Sequence, residues 1–198
     1  DWLEEFAPLY RDRIGIPYAC NVRANLVDED RVRLLKKSGC YLVMWGIESG
    51  NEQRRNEILH KNISNDQIRK AAALFRKYGI RMKSFNIMGS PGETLEEAVE
   101  TVKLNAEVKI DYPWCSILQP YPRTEIARIA QEQGALDENY SLDHLERSFF
   151  SRSILKQPDI RRIERLQKLF YLGVKVPILI PLLKWLTRFP LGLLFQFI

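Results

Sequence analysis

Cysteine is scarce in this sequence: Cys20, Cys40 and Cys115 are the three among 198 residues. They lie too far apart for a close-spaced metal motif and form no obvious disulfide framework. Reduced thiols in a cytoplasmic protein, small and buried, are the simplest reading. Histidine is scarcer still, and His60 and His144 stand isolated, without a visible metal or triad partner. Blocks of one charge are missing as well. The 30 basic and 25 acidic residues are interleaved, and the net charge of +5 carries no nucleic-acid footprint. No signal peptide is seen. The sequence opens Asp-Trp-Leu-Glu-Glu without an initiator Met, as though in the middle of a helix, and this suggests a piece of a longer protein.

An uninterrupted apolar run able to span a bilayer is also lacking. Val176 to Leu186 and Leu193 to Ile198 are strongly apolar, but Pro177, Pro181, Lys184, Arg188 and Pro190 interrupt them. A spanning helix needs about 20 mostly apolar residues. The tail therefore reads as an interfacial segment or as a helix pair packed on the body of the protein.

What is present is a repeated step from helix to strand to polar turn. Leu3, Phe6, Ala7 and Tyr10 have helical spacing from Trp2 to about Arg13, and Ile16 to Arg23 alternates as a strand. Asp28 is an N-cap for Glu29 to Ser38, with Val32, Leu34 and Leu35 inward and Gly39 as the stop. Cys40 to Ile47 is a near-continuous apolar run, the pattern of a strand covered on both faces. Ser64 with Gln67, and Thr94 with Glu97, make capping boxes. The first opens a helix through Ile68, Ala71, Ala72 and Phe75 to Gly79, and the second a helix carrying Leu95, Val99, Val102 and Ala106. Between them Ile80 to Met88 is a strand, and Trp114 to Leu118 is another. Thr124 to Gln133 is a further helix with Ile126, Ile129 and Ala130 inward, and Asp159 is expected to cap a last one carrying Ile160, Ile163, Leu166 and Phe170. Successive passes of this kind imply right-handed crossovers and a parallel sheet. The class is α/β, either an open sheet or part of a (β/α) barrel.

Two polar turns leave the same edge of that sheet. Gly46-Ile47-Glu48-Ser49-Gly50 reads either as a ligand loop, with Glu48 as acceptor and Ser49 as a hydroxyl, or as a tight turn with a surface carboxylate. Gly89 to Glu93 is a Pro-Gly turn that puts Glu93 just ahead of a helix, where the helix dipole favours its charge. Together the loops make a crevice of the kind in which α/β proteins bind ligands. Arg23 and Lys61 are cations near it, and either could hold a carboxylate, Arg23 bidentately.

The order Arg23-Ala24-Asn25, Gly46 to Asn51, Leu59-His60-Lys61, Asn86 to Thr94 and Gln119-Pro120-Tyr121-Pro122 resembles the later part of the radical S-adenosylmethionine (radical SAM) domain. The likeness is to the branch that carries a cobalamin-binding domain. The resemblance implies a partial (β/α) barrel of the radical SAM type, later βα units only, over residues 1–134. A linker with short elements at 135–158 and a mostly helical apolar C-terminal extension at 159–198 would follow. It implies three cofactors: S-adenosylmethionine, a [4Fe-4S] cluster that cleaves it to a deoxyadenosyl radical, and cobalamin. Glu48, Ser49 and Gly50 would lie beside the ribose and methionine. Ile87, Met88 and Gly89 would present backbone groups to the adenine, with Tyr121 nearby. Arg23 would face substrate or cofactor, and Lys61 matches a position where relatives often hold the methionine carboxylate with Arg.

That family holds its cluster with a Cys-x3-Cys-x2-Cys loop after its first strand. No such triplet exists here, and three thiolates must converge on one cluster. Ala19 to Arg23 matches the third strand of the family domain, so the loop is expected upstream of Asp1. The expectation is thus part of a radical methylating, cyclising or related C–H functionalising enzyme, inactive alone. It would act on a small-molecule or lipid-like substrate and take electrons from a protein such as flavodoxin or ferredoxin, with no nucleic acid. Its place would be the cytoplasm or the periphery of the inner membrane, with possible membrane contact through 176–198. A cluster-less binder of S-adenosylmethionine or a nucleotide is the alternative.

Overall fold

The computed structural model describes residues 2–150 and 152–190. Four parallel strands lie in sequence order: β1 (Tyr18–Asn21), β2 (Cys40–Glu48), β3 (Arg81–Met88) and β4 (Tyr112–Ile117). Helix α1 (Trp2–Arg13) precedes them, α2 (Glu29–Lys37) joins β1 to β2, α3 (Glu52–Glu57) and α4 (Asn65–Lys77) join β2 to β3, and α5 (Leu95–Glu107) joins β3 to β4. After β4 come α6 (Glu125–Glu132), α7 (Ile160–Lys168), α8 (Phe170–Lys175) and α9 (Ile180–Leu186).

Local chemistry sets most of these ends. Asp28 accepts from the Arg31 N–H at 2.8 Å and starts α2. Both expected capping boxes form, at Ser64 with Gln67 and at Thr94 with Glu97. Each satisfies two donors that the first turn of a helix leaves open. Helix α3 escapes sequence reading because Glu52 to Glu57 contains no apolar residue and so has no period.

The helices cover one face of the sheet. Val43, Trp45 and Ile47 of β2 pack with Ile68, Ala72 and Phe75 of α4 and Val32 of α2. Trp45 and Phe75 meet edge to face at 5.8 Å. Met88, Cys115 and Ile117 form a second core with Leu95, Val99 and Val102 of α5 and with Ile163, Phe170 and Ile180 of the C-terminal helices. The double covering expected for β2 is not found. Its burial alternates, with Met44, Gly46 and Glu48 half-buried, because side chains alternate across a strand and the helices occupy one side. The other face carries Met44, Phe85, Ile87 and Trp114, the arrangement of a partial barrel.

The stretch expected as a linker with short elements carries one 3-10 turn, Leu142–His144, among its described residues, and it packs on the body of the fold. Leu136 and Leu155 join Leu118, Ala127 and Ala130 in a third core, the Lys156 N–H donates to Ala135 at 2.7 Å, and the Ile117 N–H donates to the Phe149 carbonyl at 2.7 Å. Asp159 does not cap the helix it precedes. Its backbone is helical (φ −89°, ψ 0°) and its side chain makes no capping bond there; its Oδ2 instead accepts from the Leu95 N–H of α5 at 3.0 Å. The extension is helical as expected through α7–α9. Pro181 sits in the first turn of α9, where its missing N–H costs nothing. The apolar end Leu193 to Ile198 lies outside the described residues.

Candidate cofactor site at the carboxyl edge of the sheet

The end of β2 is irregular. Its register with β3 shifts between Gly46 and Glu48, and Glu48 takes a left-handed φ of 64°. That conformation costs a non-glycine residue roughly 1–3 kcal/mol and persists where its surroundings impose it. Here the imposition is visible. The Glu48 carboxylate folds back over Gly46, so that a Cβ at Gly46 would fall 2.1 Å from Glu48 Oε1 and 3.2 Å from Lys61 Nζ. Lys61 Nζ pairs with Glu48 Oε1 at 2.8 Å, with the carboxylate 12% and the ammonium 37% exposed. Arg23 Nη2 donates to the Lys61 carbonyl at 2.5 Å. His60 (φ 50°) and Asn62 (φ 52°) flank Lys61, also in the left-handed region. The fold thus brings Arg23, Glu48 and Lys61 into one polar group.

Ser49 and Gly50 serve the scaffold of that loop. Ser49 is buried, its Oγ accepting from the Asn51 N–H at 3.2 Å. Gly50 donates to Thr101 Oγ1 at 2.9 Å, and a Cβ there would lie 2.2 Å from the Glu100 carbonyl oxygen. The close approach that Gly50 permits is therefore to the backbone of α5. Sequence reading also missed Arg55. It is fully buried and donates to the carbonyls of Ile63 and Ser49 at 2.9 and 2.7 Å and to Asn65 Oδ1 at 2.8 Å. It ties the loop after β2 to the loop that carries Lys61.

The second loop, Gly89 to Thr94, is held by Arg54 of α3. Arg54 donates to Ser90 Oγ at 3.2 Å, to the carbonyls of Pro91 and Gly92 at 2.8 and 3.0 Å, and to the Glu97 carboxylate. Glu93, expected as a charge favoured by the helix that follows it, is buried. It is 3% exposed, and its Oε2 accepts from the N–H groups of Gly89 at 2.5 Å and Ser90 at 3.0 Å. Burial pushes its carboxyl up to about 7, against the lowering effect of those N–H groups and of Arg54. Its other oxygen, Oε1, is buried without a hydrogen-bond partner.

Among the residues the resemblance assigned to adenine, Ile87 is half-buried and packs against the third core. Met88 is in the second core and its carbonyl accepts from the Leu118 N–H at 2.8 Å. The Gly89 N–H is taken by Glu93. Tyr121 lies on the loop after β4, 48% exposed, its carbonyl accepting from Thr124.

The cysteines face the helices. Cys20 and Cys40 lie with sulfurs 3.7 Å apart. Cys40, hydrogen-bonded to the free Cys20 thiol and desolvated, is pushed up, and burial pushes Cys115 up as well. Both effects favour neutral thiols. Among the described residues no group of three His, Cys, Asp or Glu side chains is placed to hold a metal, so the residues present do not fit an iron-sulfur cluster. The polar group at Glu48 and Lys61 does suit a zwitterionic ligand, its carboxylate accepting from hydroxyl or ammonium donors and its cations binding a carboxylate.

Comparison with known proteins bears on the family and the fold. The family model for the Radical SAM superfamily matches residues 2–104. An uncharacterized methyltransferase of Pyrococcus horikoshii is 32% identical over 116 residues, 59% of this chain and 25% of the relative. Cytidylyl-2-hydroxyethylphosphonate methyltransferase of Streptomyces wedmorensis is 25% identical over 155 residues, 74% of this chain and 28% of the relative. The chain thus spans about a quarter of the length of these relatives. Among solved structures, coproporphyrinogen III oxidase of Escherichia coli, a radical SAM enzyme, aligns with a TM-score of 0.58 at 15% identity, covering 86% of this chain and 36% of that one. The radical S-adenosylmethionine methyltransferase TsrM of Kitasatospora setae, solved with cobalamin and a [4Fe-4S] cluster bound, aligns at 0.55 and 21% identity, covering 67% and 27%. These two likenesses concern the fold. Because the family match covers more than half of the sequence, on the stretch that builds β1 to α5, the chain belongs to the radical SAM superfamily.

Proposed function

We propose that this chain supplies the S-adenosylmethionine-holding edge of a radical SAM methyltransferase. The observation that carries this reading is the Lys61–Glu48 pair seated over Gly46 at the carboxyl edge of a parallel sheet. Arg23, Glu48 and Lys61 would engage the methionine and ribose, with Ser49 and Gly50 positioning the loop, and Ile87 to Gly89 and Tyr121 would border the adenine. When bound, S-adenosylmethionine with a [4Fe-4S] cluster supplies the radical chemistry of the superfamily, and cobalamin would carry the methyl group. The cluster ligands and the cobalamin site would lie outside this chain. The methyltransferase-named relatives support methylation ahead of cyclisation or other C–H functionalisation. A small-molecule or lipid-like substrate and a flavodoxin or ferredoxin donor belong to the same proposal, as does placement in the cytoplasm.

A second reading, a binder of S-adenosylmethionine or a nucleotide without chemistry, rests on the same crevice and on thiols that face the helices. Calorimetric titration of S-adenosylmethionine tests what both share. Binding that weakens about tenfold or more in Glu48→Gln, a charge-assisted contact being worth roughly 1.5–3 kcal/mol, supports it; no binding by a folded chain overturns both readings. Reconstitution with iron and sulfide tests the assignment of the cluster ligands. No 5′-deoxyadenosine is expected from this chain alone, and its formation would overturn that assignment.

A further inference from the structure

Helix α9 is apolar on two sides. Ile180, Leu183 and Thr187, at helical spacing, are buried, with Ile180 in the core shared with α5. A second stripe, Ile178, Leu182, Trp185 and Phe189, runs at the same spacing along the outer side, 85%, 49%, 48% and 45% exposed. Trp185 and Phe189 meet at 4.9 Å, and exposed Tyr171, Leu172 and Val176 continue the patch towards α8. A surface helix with one core normally presents a polar outer face, and contiguous exposed apolar surface marks an interaction site.

The stretch of sequence that carries this patch has charge of one sign. From Arg165 to the end of the sequence there is no Asp or Glu, while Arg165, Lys168, Lys175, Lys184 and Arg188 are basic. Lys168, Lys175 and Arg188 are exposed; Lys175 also donates to the Ile110 carbonyl at 2.9 Å, and Lys184 pairs with Glu96 of α5. Among the described residues no helix is long and apolar enough to cross a membrane. A short helix with Trp, Phe and Leu outward, basic residues in the same stretch of sequence and no carboxylate of its own has the chemistry of a segment lying in the headgroup region of an anionic bilayer. We propose that the outer face of α9 and the turn before it dock the protein on an anionic phospholipid surface. This inference stands independently of the proposed cofactor site.

The test is flotation of the purified protein with vesicles of phosphatidylcholine alone and of phosphatidylcholine with phosphatidylglycerol. Recovery with the anionic vesicles that falls as salt is raised is expected. Ile178→Glu with Leu182→Glu should abolish it, with the melting temperature unchanged because both residues are exposed. Lys168→Glu with Arg188→Glu should lower recovery about tenfold or more, each cation near such a surface counting for a factor of roughly five. Equal recovery with and without vesicles overturns the proposal, as does equal flotation on neutral vesicles. A concentration-dependent dimer in light scattering that Ile178→Glu with Leu182→Glu dissolves overturns it in favour of self-association.

Discussion

Gly46 and Gly50 bracket Glu48 and lack a Cβ for different reasons, which substitution should separate. At Gly46 the added atom would meet the far end of the Glu48 and Lys61 side chains, groups that can swing aside. Gly46→Ala is expected to cost less than ~1 kcal/mol in urea unfolding, yet to weaken S-adenosylmethionine about tenfold by unseating the carboxylate. At Gly50 the added atom would meet the backbone of α5, which cannot move without shifting the helix. Gly50→Ala should therefore destabilise by about 1–3 kcal/mol or more, with weakened binding explained by lost fold. Glu93 carries a pH dependence. Its folded value, about 7, is above the usual carboxylate value of about 4.3. The stability it contributes is thus full below the unfolded value and is lost as pH rises through the folded one. The melting temperature of Glu93→Gln should gain on that of the native protein between pH 5 and pH 8; a constant difference across that range would contradict the assignment.

At the scale of elements, α3 decides how the two loops meet. It has no apolar face and six residues, yet Arg54 braces the Gly89 loop and Arg55 braces the two loops after β2. Arg55→Ala would leave the carbonyls of Ser49 and Ile63 and the Asn65 side chain without their buried donor. A loss of at least ~3 kcal/mol in chemical denaturation is expected. Arg54→Ala should act more locally, raising amide exchange at Gly89, Ser90 and Gly92 while the core strands keep their protection. The elements that were legible in sequence are those whose signals are local, such as the boxes at Ser64 and Thr94 or the stripe of Ile68, Ala72 and Phe75. Those misread depend on distant partners. Asp159 looks like the cap of its own helix and caps α5 instead, and the burial of Glu93 follows only from Arg54 and Gln157 closing over its turn.

For the whole molecule, the C-terminal helices are part of the fold. Ile163, Leu166, Phe170 and Val174 complete the core around Met88 and Ile117, so a chain ending at residue 158 should lose its cooperative melting transition. The opposite face of the sheet, with Phe85 and Trp114 in contact at 5.6 Å, is left half-open. The α/β class, the parallel strands and the family are legible from the residues alone, because alternation, capping and glycine turns act over a few residues. Which polar groups converge was decided by tertiary structure. Lys61 reaches Glu48, Arg54 reaches the Gly89 loop and the cysteines turn to the helices only once strands distant in sequence are laid side by side, and no local pattern encodes that pairing.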